Sequence, residues 1–165
     1  MRRAIVTAVA GLLLAGCGAG STPGTGDGSL LPESRVALPE YDVTQFRALI
    51  EELRGTPVVV NFWGSWCPPC RVEAPELAEA SEEFGDRVQF LGVDILDNRQ
   101  AARDFILAED WQYPSVFDPE GEIRDGLGYV GQPITLIYDR DGKLAFEWNG
   151  VVTLDLLRRE LRNVI

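Results

Sequence analysis

The chain has 165 residues, 45% of them hydrophobic, which suits one folded domain with appendages. Its 15 Lys and Arg against 26 Asp and Glu give a formal net charge of −11. An acidic balance of this size repels the phosphates of nucleic acids, so we expect no nucleic-acid function. Acidic surfaces also serve solubility and require no basic partner.

The first 16 residues have the pattern of an export signal. Basic residues at positions 2 and 3 precede an apolar run from Ala4 to Leu14 and small residues before Cys17. The segment resembles a bacterial lipoprotein signal, because residues 14–17 match its lipobox, and this implies cleavage before Cys17 and a lipid on that cysteine. The apolar run is shorter than the ~20 residues that a membrane-spanning helix needs. A retained transmembrane anchor and ordinary secretion are the alternatives.

The segment after Cys17 is predicted to be a flexible tether, residues 17–39. It is rich in Gly, Ser, Thr and Pro and shows no apolar periodicity. A tether of this length would hold a domain at residues 40–165 a few nanometres from the membrane at most. We therefore expect an extracytoplasmic protein that is anchored to the bacterial cell membrane through a lipid.

Apolar periodicity beyond residue 40 predicts alternating helices and strands. The first helix has Asp42 or Thr44 as its cap and ends at Gly55. The later elements, in chain order, are a strand at Val58–Phe62, a helix at Glu73–Phe84 kinked by Pro75, a strand at Val88–Asp94, a helix at Asn98–Ala108, a short strand at Ser115–Phe117, a hairpin of Ile134–Tyr138 with Lys143–Trp148, and a helix at Leu154–Leu161 capped by Thr153.

Two cysteines separated by two residues follow the first predicted strand. A cysteine at the first turn of a helix meets unpaired backbone N–H groups and the positive end of the helix dipole, which favour the thiolate. Cys67 is therefore placed to attack a disulfide, and Cys70, one turn further, is placed to resolve the mixed disulfide. This pair would act as a redox-active disulfide, so we expect no separate cofactor.

Other uses of the cysteine pair lack their partners in the sequence. A closed zinc site needs four nitrogen or sulfur ligands, but the chain has no histidine and only three cysteines, one of them assigned to the lipid. Haem attachment through Cys-x-x-Cys-His fails because Arg71 stands where the histidine would be. We therefore expect no metal site.

The residues around the cysteines identify a family. Residues 60–75 read Val-Asn-Phe-Trp-Gly-Ser-Trp-Cys-Pro-Pro-Cys-Arg-Val-Glu-Ala-Pro, and residues 131–135 read Gly-Gln-Pro-Ile-Thr. With the predicted element order, these segments resemble the TlpA/ResA-like branch of the thioredoxin superfamily. The resemblance spans residues 40–165 and implies a thioredoxin-like three-layer α/β/α sandwich with a mixed sheet. Residues 94–130 fit the central insertion of that branch.

The resemblance also implies a substrate-binding surface. Pro133 would be a cis-proline facing the cysteines, and Gln132 would offer backbone groups to the partner's extended chain. A trans proline that starts a strand is the alternative for Pro133. Trp66, Pro68 and Pro69, beside the nucleophile, complete the predicted surface. The other tryptophans are expected to pack inside the protein: Trp63, Trp111 and Trp148.

Glu73 is a candidate for proton transfer. Asn61 stands where cytosolic thioredoxins carry a buried aspartate that accepts protons. Glu73, three residues after Cys70, matches an acidic position at which relatives are thought to move protons at the buried cysteine, and it could substitute for that aspartate. A glutamate near a helix start is also favoured by the helix dipole and can simply be solvated. The sequence leaves both interpretations open.

The direction of electron flow is predicted from the two prolines. They remove two N–H donors that could stabilise the Cys67 thiolate, and weaker stabilisation makes the couple more reducing. We expect reduction of disulfides in exported proteins, and the resemblance implies an apocytochrome c as one such substrate and a thiol-reducing membrane protein as electron donor. The alternatives are an oxidant or isomerase, a non-catalytic thioredoxin-fold binding module, and a thiol peroxidase, although the Pro-x-x-x-Thr-x-x-Cys context of peroxidases is absent.

Overall fold

The computed structural model describes residues 29–165. No helix in this part of the chain is long and apolar enough to cross a membrane. The helices are α1 Val43–Glu52, α2 Pro68–Phe84, α3 Arg99–Ala108, α4 Glu122–Gly126 and α5 Leu154–Leu161, and the strands are β1 Val58–Trp63, β2 Gln89–Ile95, β3 Ser115–Asp118, β4 Ile134–Tyr138 and β5 Leu144–Asn149.

Every helix and strand predicted from the sequence is present, and the largest shift of an end is at α2, which begins at Pro68, five residues before the predicted Glu73. Helix α4 is an additional element. It has only five residues and follows Gly121, whose φ is 75°, and the Asp118 carboxylate accepts from the N–H groups of Glu122 and Ile123 at its start. A helix of little more than one turn is too short to produce a recognisable apolar period, which explains why the sequence does not reveal it.

The helix starts follow local sequence chemistry. Asp42, rather than Thr44, caps α1: its carboxylate accepts from the Gln45 N–H at 2.8 Å, and the Gln45 side chain accepts from the Asp42 N–H. Helix α2 begins directly after Cys67 with two prolines in its first turn. Prolines are tolerated there because the first N–H groups of a helix have no partner within the helix.

The five strands form one mixed sheet in the order β3-β2-β1-β4-β5. Strand β1 lies at the centre, parallel to β2 and antiparallel to β4, and β2 is parallel to β3. The carboxyl ends of β1, β2 and β3 therefore meet the amino end of β4 along one side of the sheet, where the strands end. The loops that carry the cysteines and Pro133 lie along this side, which we call the active-site edge and which is distinct from the edge strands β3 and β5.

Helices cover both faces of the sheet and make two hydrophobic cores. One core packs side chains of α2, α3 and α5 on one face, including Trp63, Leu77, Phe105 and Leu157. The other packs α1 and α4 on the opposite face, including Phe46, Leu49, Phe62 and Ile123. This arrangement is the three-layer α/β/α sandwich expected from the sequence.

Residues 29–39, which we call the N-terminal strap, pack against the domain. The side chain of Leu38 is fully buried, and the N–H of Leu30 donates to the carboxylate of Glu52 at 3.0 Å. The packed part of the described chain therefore includes residues 29–39, which the sequence interpretation assigned to the tether. The strap contacts the domain through buried apolar side chains and through hydrogen bonds, such as those from Arg35 to Asp110 and to the Trp111 carbonyl, whereas the tether prediction rested on the Gly, Ser, Thr and Pro content of residues 17–39.

Three sequence predictions lie outside the described residues. They are the signal peptide at residues 1–16, the lipidation of Cys17, and the part of the tether before residue 29.

Candidate active site

Cys67 and Cys70 lie where β1 passes into α2 and are joined by a disulfide, with a Cα–Cα distance of 5.3 Å. Cys67 is the residue that caps α2, and its Sγ accepts from the N–H of Cys70 at 3.3 Å. This position puts the Cys67 sulfur at the helix N-terminus, where the dipole and free N–H groups stabilise a thiolate. Cys67 is only 2% exposed, so the sulfur presents a small target to an incoming thiol.

The loop before the nucleophile is held from two sides. The carboxylate of Asp97, from the loop after β2, accepts hydrogen bonds from the Ser65 N–H and from the Ser65 hydroxyl, the latter at 2.9 Å. The guanidinium of Arg71 donates to the Ser65 carbonyl and lies over the Phe105 ring, 5.3 Å from its centroid. These contacts fix the backbone that leads to Cys67, and neither Asp97 nor Ser65 was identified from the sequence.

An apolar surface adjoins the cysteines, as the sequence predicts. Trp66 is 49% exposed and its indole N–H donates to the Ile95 carbonyl at 3.3 Å, while Pro68 and Pro69 are exposed in the first turn of α2. Val130, which precedes the Pro133 loop, is also exposed. Solvent-exposed aromatic and proline side chains next to a reactive disulfide are suited to contact a polypeptide.

The Gln132–Pro133 peptide bond is cis, as the resemblance implies. The Pro133 carbonyl accepts from the Gly150 N–H at 2.9 Å, and the Gln132 side chain accepts from Arg124 at 3.4 Å. Pro133 is buried and directly precedes Ile134, the first residue of β4, so it lies at the same sheet edge as the cysteines. Arg124 belongs to α4, the helix that the sequence did not predict.

Glu73 is fully buried beneath the cysteines, which excludes the interpretation as a solvated helix charge. Its Oε1 accepts from the Asn61 amide and its Oε2 from the Val152 N–H, each at 2.8 Å. The Asn61 amide also donates to the Thr135 hydroxyl at 3.2 Å. Burial raises the pKa of Glu73 to about 7, although both hydrogen bonds to the carboxylate act in the opposite direction. Glu73 can therefore take up and release a proton near neutral pH.

Asp94 is a second buried carboxyl group, which the sequence interpretation did not single out. Neither of its oxygens meets a hydrogen-bond donor among residues 29–165. Burial, reinforced by the neighbouring Asp97, raises the pKa of Asp94 to about 9, against the opposing charge of Arg99. The signal available in the sequence was an aspartate inside the apolar run of a central strand. Despite this concentration of acids, no group of Cys, Asp or Glu side chains in the described part of the chain is arranged to hold a metal ion.

Of the four tryptophans, two are buried and two are exposed, and Trp148 is the one whose exposure differs from the prediction. Trp63 and Trp111 are fully buried and pack edge to face, with ring centroids 5.0 Å apart, as expected. Trp148 was predicted to pack inside but is 42% exposed. It lies on β5, the edge strand of the sheet, whose residues are mostly exposed.

Comparison with known proteins agrees with this geometry. Residues 34–147 match the AhpC/TSA family. The chain is 34% identical over 143 residues to the thiol:disulfide interchange protein DsbE of Pseudomonas aeruginosa, covering 82% of this chain and 78% of that relative. It is 29% identical over 130 residues to the thiol-disulfide oxidoreductase ResA of Bacillus thuringiensis subsp. konkukian, covering 76% of this chain and 75% of that relative.

A solved structure shows the same architecture. A DsbF homologue from Corynebacterium diphtheriae superposes with a TM-score of 0.63 and 31% sequence identity, over 68% of this chain and 74% of that chain. This likeness and the two relatives confirm the resemblance and the α/β fold that the sequence predicts.

Proposed function

Since this chain belongs to the AhpC/TSA family of thioredoxin-like proteins and is a thiol-disulfide oxidoreductase of the ResA/DsbE type, we propose that it reduces disulfides of exported proteins. The observation that carries the proposal is the Cys67–Cys70 disulfide at the N-terminus of α2, with the buried Glu73 carboxyl behind it. Thiol peroxidase activity is not favoured, because the cysteines are paired with each other and lack the peroxidase motif.

The proposed reaction moves two electrons from the reduced protein to the substrate. The Cys67 thiolate attacks one sulfur of the substrate disulfide, which breaks that bond and releases the other sulfur as a thiolate that takes up a proton. Cys70 then gives its proton to Glu73 and attacks the Cys67 sulfur. This step breaks the mixed disulfide, frees the second substrate thiol and forms the Cys67–Cys70 disulfide. A dithiol donor must supply two electrons to reduce the pair again.

The first turn of α2 supports reduction as the direction. Pro68 and Pro69 have no N–H to offer, and among residues 29–165 only the Cys70 N–H, at 3.3 Å, donates to the Cys67 sulfur. A thiolate with few donors is less stabilised, and its disulfide is correspondingly a weaker oxidant.

The substrate is proposed to dock on the exposed surface next to the disulfide. Trp66, Pro68 and Pro69 would contact its side chains, and the backbone at Gln132 and Pro133 would pair with its extended chain. Exposure of the first three residues and the position of the Pro133 loop at the sheet edge support this assignment.

Location and partners are proposed from residues 1–28 and from the family. The export signal and the lipid on Cys17 would tether the protein outside the cytoplasm, at the cell membrane. An oxidised apocytochrome c would be one substrate there, and a thiol-reducing membrane protein would be the electron donor.

Trapping of mixed disulfides tests the catalytic proposal. In the full chain carrying Cys70→Ser, Cys67 attacks but cannot be released, so we expect adducts with exported proteins that dithiothreitol dissolves. The matched Cys67→Ser chain should form none. Equal absence of adducts from both variants would replace the proposal with the binding-module interpretation.

The reduction potential of the Cys67/Cys70 couple tests the direction. After equilibration of the protein with glutathione or dithiothreitol buffers, we expect a value near or below about −230 mV, toward the thioredoxin end of the scale. A value near about −120 mV, that of a strong oxidant, would reverse the proposed direction.

A further inference from the structure

Trp148 stands at the active-site edge of the sheet, on β5, and its indole N–H donates to the Val151 carbonyl at 3.0 Å. Strand β5 ends at Asn149 and α5 begins at Leu154, so this bond spans the start of the β5–α5 loop, residues 150–153. The hydrogen bond ties an exposed side chain to the backbone of that loop.

The β5–α5 loop in turn holds the proton acceptor. The Val152 N–H, directly after the carbonyl that Trp148 binds, donates to Oε2 of Glu73 at 2.8 Å. The Gly150 N–H donates to the Pro133 carbonyl at 2.9 Å, which anchors the beginning of the loop to the substrate-binding edge. Three consecutive backbone positions, 150 to 152, thus bind Pro133, Trp148 and Glu73.

Trp148 is also connected, through Thr135, to the Asn61 amide that binds the other oxygen of Glu73. In the β4–β5 ladder Trp148 pairs with Thr135, whose hydroxyl accepts from the Asn61 amide that binds Oε1 of Glu73. The Asn61 amide that binds Oε1 therefore contacts the residue that pairs with Trp148, and the Val152 N–H that binds Oε2 directly follows the carbonyl that Trp148 binds.

We propose that Trp148 is a positioning residue for Glu73: its indole N–H holds the β5–α5 loop so that the Val152 N–H stays on the buried carboxylate. The effect of this positioning on proton transfer from Cys70 to Glu73 rests on the function proposed above, whereas the positioning itself does not. The bond from Val152 lowers the pKa of Glu73, so loosening the loop raises that pKa further above its ordinary value.

Titration of Glu73 in the oxidised full chain tests the positioning. The disulfide removes the thiols from the titration, and Tyr113, the titratable side chain whose pKa is affected by Glu73, is buried and neutral in the range used. With ¹³C labelling of the Glu73 carboxyl, we expect Trp148→Phe, which keeps an aromatic ring and deletes the N–H, to move the midpoint to higher pH. Trp66→Phe deletes the N–H of the other exposed indole, which binds Ile95, and should leave the midpoint unchanged.

Hydrogen exchange of the Val152 amide provides a second measurement that is independent of titration. We expect exchange to be faster by about tenfold or more in Trp148→Phe and unchanged in Trp66→Phe. If Trp148→Phe shows the wild-type midpoint and wild-type exchange, the positioning role is wrong.

A kinetic measurement separates this inference from the proposed function. The release of a mixed disulfide between Cys67 and a model Cys-x-x-Cys peptide should shift its pH dependence in Trp148→Phe by the same amount as the Glu73 midpoint. A shifted midpoint with an unshifted pH dependence would uphold the positioning by Trp148 and overturn the proton-transfer role of Glu73.

Discussion

At the scale of single residues, the proposed proton transfer uses a carboxyl group whose charge is easily changed. Glu73 has no contact with solvent, and the two donors that hold its oxygens come from β1 and from the loop before α5. Such a carboxylate is costly to keep ionised, and the cost brings its pKa near the physiological range. A group that is half protonated near pH 7 is suited to exchange a proton with a neighbouring thiol.

Replacement of Glu73 by Gln should therefore remove a pH-dependent step. At pH 7 and above, we expect resolution of the mixed disulfide by Cys70 to slow by about 100-fold, because the proton acceptor is lost. The rise in rate as pH increases through about 7, where Glu73 becomes ionised, should disappear. Single-turnover release of a peptide from Cys67 across pH 5.5 to 8.5 measures both effects.

Glu79→Gln is the matched control for this substitution. Glu79 lies on the same helix but is exposed, in an ion pair with Arg158 at 3.3 Å. It should keep the wild-type pH profile. A Glu73→Gln protein that retained the profile would show that another group accepts the proton.

Asp94 should make folding stability fall with pH. Its pKa is about 9 in the folded protein against an ordinary 3.8, so between these values the folded protein holds a proton that the unfolded chain has lost. The stabilisation is present in acid and is lost as pH rises from about 4 to about 9. In Asp94→Asn, which cannot ionise, we expect the free energy of unfolding at pH 8.5 to rise by about 1 to 3 kcal/mol relative to wild type.

Urea unfolding of the oxidised protein at pH 5.5 and pH 8.5 tests this pH dependence. Asp86→Asn, at an exposed carboxylate, serves as the control, and its free energy of unfolding should change between the two pH values as much as that of wild type. If this change were equal in wild type and Asp94→Asn, Asp94 would already be ionised in the folded protein.

At the scale of elements, a glycine on β2 makes room for side chains of the two strands that lie on either side of it. A Cβ on Gly92 would overlap the Ser115 hydroxyl of β3 and lie 2.6 Å from Nε1 of Trp63 on β1. We expect Gly92→Ala to lower the free energy of unfolding by about 1 to 3 kcal/mol, the usual cost of overpacking a core. Thermal and urea unfolding measure the change.

A double-mutant cycle identifies the clash as the cause. Ser115→Ala removes a hydroxyl that has no hydrogen-bond partner among the described residues, so alone it should change stability little. Combined with Gly92→Ala it should recover part of the loss. Simple additivity of the two changes would indicate that Trp63, rather than Ser115, limits the space.

How far the sequence predicts these elements depends on how local their causes are. The capped helices α1 and α5 and the strand before the cysteines follow from signals within a few residues, and the structure confirms them. Helix α4 is held by packing of Ile123 in the core and by the Asp118 carboxylate, which accepts from the first N–H groups of the helix, but its five residues are too few to show an apolar period. The burial predicted for Trp148 was wrong because an aromatic residue is favoured in a central strand and in an edge strand alike, so the sequence does not indicate which of the two it occupies.

At the scale of the whole molecule, the same distinction separates what was found in the active site from what was missed. Cys67 and Cys70 form one short motif whose spacing indicates them, and Glu73, three residues further on, follows from the family resemblance. Asp97 and Val152 reach the site from segments that are 30 and 85 residues away from Cys67 in the sequence, and only the sheet order β3-β2-β1-β4-β5 brings them there. A single sequence does not indicate such convergence.

The N-terminal strap is the part of the molecule whose contribution to stability the sequence most underestimates. Leu38 adopts a left-handed backbone with φ of 50°, a conformation that is costly for a residue with a side chain, and yet this side chain is fully buried in the core beside α2. The guanidinium of Arg99 also donates to the Leu38 carbonyl. The energy of burial evidently exceeds the backbone strain, which indicates that the strap is an integral part of the domain.

A chain that begins at residue 40 should therefore be less stable than one that begins at residue 29, and both lack residues 1–28, so the difference reports on the strap alone. We expect the free energy of unfolding to fall by at least the ~2 to 5 kcal/mol that truncation of one buried leucine costs. Leu38→Ala in the longer chain should reproduce most of the loss, and Glu33→Ala, at an exposed strap position, should change stability by less than about 0.5 kcal/mol. Urea unfolding of all four proteins measures these differences. Equal stability of the two truncated chains would show that the strap adds nothing to the stability of the domain and would support the predicted boundary at residue 39.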